Sequence, residues 1–177
     1  AIYNDAGEIL VKTEVESVKN SLYITELAVD AAGTYYLGVP DGSNYLFKLE
    51  VAEAAPAAVP AEPVSYVLDA TADLPATEQG AKADGESETF KDYFTVMYSA
   101  KNKIDGSNKI FDDGYTATQR LNFGGKTNPD KGMINSVMFK TEGAANVKLW
   151  WVSGGDGRQF AIYNDAGEIL VKTEVES

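Results

Sequence analysis

AIYNDAGEILVKTEVES occupies residues 1–17 and, letter for letter, residues 161–177. An identity of this length at two places in one chain is not chance. The second copy begins 160 residues after the first, about the size of one domain. A repeat at a fixed period sets the architecture before any other signal does. Two origins fit: a stretch of a tandem array of near-identical modules, or a circularly permuted module with one segment duplicated. In the second copy, Arg158 to Asn164 reads as a strand, Asp165-Ala166-Gly167 as its hairpin turn and Glu168 to Glu176 as the returning strand. Ala161 and its twin Ala1 therefore fall inside strands, whereas domain boundaries usually lie in exposed linkers.

The linker signal is elsewhere, at Ala52 to Pro63 (AEAAPAAVPAEP), with three prolines and no aromatic residue. That composition predicts an extended spacer of roughly 3 Å per residue. The sequence thus predicts a module that starts near Val64, runs through Ser177 and continues with residues 18–51, about 150 residues in all and enough for one core. Residues 1–51 form its back half and residues 64–177 its front half, together one sandwich.

Composition narrows the function classes. The chain has no cysteine and no histidine, which removes disulfides, thiolate metal sites and every catalytic arrangement built on imidazole. A net charge of −12 makes nucleic acid an unfavourable partner and directs any metal expectation to calcium, a hard cation that takes oxygen ligands. No apolar run approaches the ~18 residues of a membrane span, and no signal peptide is recognisable, so no membrane insertion is expected.

Strand signals recur along the whole chain. Ser21 to Val29 is rich in β-branched residues, and Thr34 to Val39 and Tyr45 to Val51 flank the turn-forming run Pro40-Asp41-Gly42-Ser43-Asn44. In Tyr45 to Val51, a period of two places Tyr45, Phe47, Leu49 and Val51 on one face. Further strands are predicted at Tyr66–Leu68, Tyr93–Tyr98, Gln119–Phe123, Ser136–Thr141 and Asn146–Val152; weak helical signals cover Ala70–Gly85 and Asp92–Met97. Many short strands between Gly, Asn and Asp turns predict an all-β fold, a two-sheet antiparallel β-sandwich of jelly-roll-like form, circularly permuted or strand-exchanged relative to its native module.

Two blocks, SVMFKTEGAANVKLWWVSGGDGRQFAIYNDAGEIL (136–170) and ELAVDAAGTYYLGVPDGSNYLFKLEV (26–51), carry a family resemblance. They resemble the carbohydrate-binding-like β-sandwich modules of secreted bacterial polysaccharide lyases. More distantly they are similar to bacterial pre-peptidase C-terminal domains, through Ala32-Gly33-Thr34-Tyr35-Tyr36-Leu37 and Tyr45-Leu46-Phe47. In those modules the GTYYLG block follows the WWVSGG block; here it precedes it, as a permutation requires. The resemblance implies a non-catalytic, extracellular or cell-surface role in contact with polysaccharide.

Sugar rings stack on exposed aromatic faces, and uronate carboxylates accept paired hydrogen bonds from guanidinium groups. Adjacent strand residues point to opposite faces, so with Val147, Leu149 and Trp151 on the apolar face, Trp151 is the core tryptophan and Trp150 the outward one. Trp150 is then either a sugar platform or a cover for the sandwich edge. Tyr36 raises the same alternative beside Tyr35. The two arginines, Arg120 and Arg158, stand beside glycine-containing turns, the first in a segment that ends at Lys126. Each either grips a uronate or makes a structural ion pair. Asp105, Asn108, Asp112 and Asp113 form the densest group of short oxygen ligands near glycines and are the candidate calcium ligands, or else plain turn residues. No motif singles out a catalytic carboxylate pair, so no enzyme activity is expected.

Two function classes follow. The first is a polysaccharide-binding module, with uronate-containing polymers among its candidate ligands and calcium as its candidate cofactor. The second is a structural repeat of a surface fibre or adhesin stalk whose partners are neighbouring copies. The binding class requires Trp150 and both arginines open on one face. The stalk class has them buried or in ion pairs. Either way, the two 17-residue copies compete for one place in the sandwich.

Overall fold

The computed structural model describes residues 2–3, 9–11, 17–53, 64–75 and 82–174. Fourteen strands follow in chain order: β1 (Ile2–Tyr3), β2 (Ile9–Val11), β3 (Leu22–Val29), β4 (Gly33–Gly38), β5 (Asn44–Glu53), β6 (Ser65–Asp69), β7 (Ser87–Phe90), β8 (Phe94–Met97), β9 (Lys103–Ile110), β10 (Thr116–Phe123), β11 (Ser136–Thr141), β12 (Ala145–Ser153), β13 (Ala161–Tyr163) and β14 (Ile169–Lys172). A four-residue helix, α1 (Ala70–Asp73), follows β6. The fold is all-β, with two six-stranded antiparallel sheets. One runs β3-β12-β5-β10-β9, with β6 also paired to β5, and the other runs β14-β13-β4-β11-β8-β7.

Strands from residues 22–53 interleave with strands from the later chain. β12 lies between β3 and β5, and β4 lies between β13 and β11. The single core takes side chains from both sheets: Leu49, Val147, Leu149, Trp151 and Phe123 from one, and Leu37, Val96, Val137, Phe139 and Ile162 from the other, all essentially fully buried. Trp151 stands at its centre, its ring edge-on to Phe160 at 5.5 Å and 4.9 Å from Tyr23, with its indole N–H donating to Thr25 Oγ1 at 3.0 Å. That bond removes the cost of burying the one polar atom of the ring.

The period-two reading of β5 fails at one point, for a definable reason. The β5–β12 register slips between Trp150 and Trp151: Trp150 faces Lys48, but Trp151 faces Leu46. Phe47 is the extra residue of a β-bulge, and a bulge shifts the side-chain phase beyond it. Leu46, Leu49 and Val51 therefore enter the main core, while Tyr45 and Phe47 turn to the opposite face and build a second, smaller cluster there.

Other expectations shift as well. Ala52 and Glu53 are not spacer but the end of β5, paired with β12 and, at Ala52, with β6; residues 54–63 lie outside the described residues. Of the helical signals, Ala70–Asp73 alone among the described residues forms a helix, capped by Asp69, whose carboxylate accepts from Thr71 N–H at 2.8 Å, and residues 76–81 lie outside the described residues. Phe94–Met97 is strand. β7 and β9 carried no strand reading, because SETF and KIDGSNKI hold too few apolar residues to show alternation.

The two copies of the duplicated sequence form the same hairpin in the same register. Ile2 pairs with Val11 and Tyr3 with Ile9; Ile162 pairs with Val171 and Tyr163 with Ile169, each pair of strands with a slip at the same place. The second copy is in a larger sheet, where β13 adds to β4. Among the described residues, β1 and β2 pair with each other alone.

Replacing Trp151 with Ala empties the middle of the core and deletes its edge-on aromatic contacts. The expected loss is about 3–5 kcal/mol of folding stability, read from urea unfolding.

Candidate functional site

Two of the residues assigned to sugar, Trp150 and Arg120, and two of those assigned to calcium, Asp113 and Asp105, lie on the outer face of the β3-β12-β5-β10-β9 sheet, where they bind each other in pairs. Trp150 points away from the main core as expected, but it is not open: only 3% of it is exposed. It packs with Phe47, Val152, Ala117 and Phe111. The β9–β10 turn folds over it, placing Tyr115 edge-on at 6.0 Å. Lys48, placed on this face by its alternation with the inward Leu49, holds its ammonium 4.1 Å from the ring centre. That arrangement attracts the cation to the ring face and closes it to any other partner.

Asp113 completes the cover. Its Oδ2 accepts the Trp150 indole N–H at 2.8 Å, and its Oδ1 accepts Tyr115 N–H at 3.0 Å. Burial acts to raise the Asp113 carboxyl. The Tyr115 and Trp150 hydrogen bonds, with the charges of Lys148 and Lys48, outweigh it and hold the group below the usual carboxylate range. Tyr115 in turn donates its hydroxyl to Asp69 at 2.8 Å, tying the turn to the α1 cap. Gln119 secures the other end of α1 by donating to the carbonyls of Ala70 and Leu74.

Arg120 is spent in a similar way. It stands directly across the ladder from Asp105, with Nε donating to Oδ1 at 2.5 Å and Nη2 to Oδ2 at 3.4 Å, and its guanidinium lies flat on Tyr45 at 3.8 Å. Asn122 and Lys103 add contacts to the same carboxylate at 3.3 Å each. Burial pushes the Asp105 carboxyl up, but the Arg120, Asn122 and Lys103 contacts outweigh it and the net shift is downward.

The four calcium candidates are not gathered at one place. Asp105 and Asn108 lie on β9, not on a loop, and Asp112 and Asp113 lie in the turn beyond it. At ~3.3 Å per residue, Asp105 and Asp112 are roughly 20 Å apart along the strand, too far to share an ion. Asn108 and Asp112 are exposed. Among the described residues, no three acidic side chains converge on a metal-sized site.

The remaining candidates are dispersed. Arg158 is half-buried against Gly42, Gly154 and Gly155, and its Nη1 donates to Ser43 O at 3.1 Å. A Cβ on Gly155 would sit 2.7 Å from the Arg158 Nε, so glycine there makes room for the guanidinium. Lys126 is exposed, with no partner among the described residues. Tyr36 is half-buried on Met133, Ala161 and Tyr163 and hydrogen-bonds to Asp165; burial first, then the Asp165 charge and bond, raise its hydroxyl above the usual tyrosine value. Tyr36 thus holds the β13–β14 turn, while Tyr35 is the core member of the pair.

Sequence reasoning missed a concavity beside β3. A groove of about 840 Å³ follows β3, the end strand of its sheet among the described residues, from Leu22 to Ala28, closed by Phe111 and Asp112 on one side and by Val171 and Lys172 of β14 on the other. β3 gave a strand signal, but nothing in its residues marked it as an edge strand. Comparison with known proteins finds no matching family model, no matching curated protein and no matching solved structure.

Two measurements check these roles. Trp150→Ala should cost about 3 kcal/mol of stability in urea and Asp113→Ala about 1 kcal/mol, as expected of a cover and its tie. Asp105→Asn should cost about 1.5 kcal/mol at pH 7. Because the folded-state pKa of Asp105 is lowered, its contribution is full above the unfolded value of about 3.9 and is lost as pH falls through the folded value. The difference between variant and parent melting should therefore shrink in acid.

Proposed function

We propose that this chain is a structural β-sandwich module, a repeat of an extracellular or cell-surface array whose partners are further copies of itself. The observation that carries this reading is the duplicated hairpin, paired twice in one register but, among the described residues, joined to a sandwich sheet once. An array of near-identical modules supplies such a segment at every junction. The internal use of Trp150 and Arg120 supports it, since a stalk module needs rigid faces and not open ring platforms. No catalytic role and no resident cofactor belong to this reading.

The polysaccharide-binding reading, which the resemblance to lyase-associated modules suggests, draws its support from the β3 groove. Affinity electrophoresis on homogalacturonan and other uronate polymers, with and without calcium, separates the two. The expected result is no retardation in any gel. Retardation that disappears in Arg158→Ala would replace the structural reading with a binding one. A chain carrying three periods should also show, by small-angle scattering, a maximum dimension that grows in proportion to the number of sandwiches.

A further inference from the structure

The slot beside β4 is defined by contacts that residues 1–17 can reproduce. Ala161, Ile162 and Tyr163 are buried in it, Tyr36 bonds to Asp165, and a Cβ on Gly167 would lie 2.5 Å from Pro129. Thr173 closes the hairpin, its N–H donating to Phe160 O at 2.8 Å and its Oγ1 accepting Phe160 N–H at 3.0 Å. The first copy has the same residue at every one of these places: Ala1, Ile2, Tyr3, Asp5, Gly7 and Thr13.

Ser17 supplies the address. It is 2% exposed, its carbonyl accepts Gly157 N–H at 2.6 Å, and its hydroxyl bonds to Arg158 O and lies 3.2 Å from Ser153 Oγ. In the second copy Thr173 pairs with Phe160, three residues beyond Gly157. Ser17, the last residue of the first copy, is seated at Gly157 and Arg158. Along the sequence it stands four residues after Thr13, the counterpart of Thr173. From this junction the first copy is presented to the slot of its own molecule at high effective concentration, ahead of any neighbour's.

We propose that the slot beside β4 is a binding site for either copy, so that residues 1–17 displace residues 161–174 within one molecule and the chain has two mutually exclusive frames. In one frame the chain is continuous into the slot at Phe160–Ala161; in the other it is continuous out of the slot at Ser17–Val18. The side-chain contacts are the same in both, and the frames differ only in which junction is covalent. The exchange needs only the two copies and the slot, so it holds whether the module acts as a spacer or binds a polysaccharide.

Ile162→Asp and Ile2→Asp, alone and together, test it. Each single variant should keep a cooperative melting transition within about 5 °C of the parent, because the intact copy seats. The double variant should lose that transition. If Ile162→Asp alone melts like the double variant, the proposal is overturned. A second readout does not depend on stability, because the chain has no native cysteine. Tyr36 faces Tyr163 across the ladder, so in the other frame it faces Tyr3. Tyr3→Cys with Tyr36→Cys, in the Ile162→Asp chain, should oxidise to an intrachain disulfide, seen as monomer on a non-reducing gel. Disulfide-linked dimer alone, or no bridge at all, would overturn exchange within one molecule.

Discussion

The backbone ladder of β12 holds β3 along one edge from Ala145 to Val152 and β5 along the other from Ala145 to Ser153. Both neighbours come from a part of the chain about a hundred residues earlier. A central strand paired on both sides satisfies its own N–H and C=O groups and those of two partners, so it is the place where the two halves of the sequence become one body. Everything else is positioned from it. Its inward residues Val147, Leu149 and Trp151 define the core, and its outward Trp150 anchors the β9–β10 turn. The slip beside Trp150 turns Phe47 toward that anchor, next to the Lys48 that alternation already places on this face. Without the slip, Tyr45 and Phe47 would compete with Leu49 and Val51 for the same face and the outer cluster would have no members.

The outer cluster shows how an acidic chain uses its few cations. Lys48 lies over Trp150, Arg120 is fixed between Asp105 and Tyr45, and Lys148 reaches Glu26 at 3.5 Å. The first two contacts let a large aromatic ring or a carboxylate be covered without leaving an unpaired charge, while Lys148 and Glu26 form a surface pair. The same residue types, aromatic, arginine and aspartate, are those a sugar site would use. What separates a site from a scaffold is whether they face solvent or one another, and here the hairpin end turns them toward one another.

The duplicated segment separates two levels of structural specification. The hairpin register is local: the Asn164-to-Gly167 turn, closed by Gly167 N–H to Asn164 O at 3.0 Å, sets the pairing, and an identical sequence sets it identically in β1–β2. Seating is not local. It depends on the edge of β4, the buried surface around Ile162 and the chain that enters at Phe160, none of which belongs to the hairpin itself.

Much of the architecture was legible in the residues: the all-β class, the hairpins and the opposite faces of Trp150 and Trp151. These follow from short-range rules, alternation along a strand and glycine at a turn with positive φ, as at Gly167 (φ 79°). The site was less legible. Asp105 looked like a loop ligand because KIDGSNKI lacks the apolar alternation of a strand; only its pairing with β10 makes it one, and that pairing puts Arg120 across from it. Trp150 looked open because alternation tells which face a side chain leaves by, not what lies beyond that face. Strand, turn and register were determined by the sequence alone, since neighbouring residues suffice to specify them. Which ring is covered, which charge is paired and which copy is seated were decided only by the tertiary structure, because each depends on a contact between segments remote along the chain.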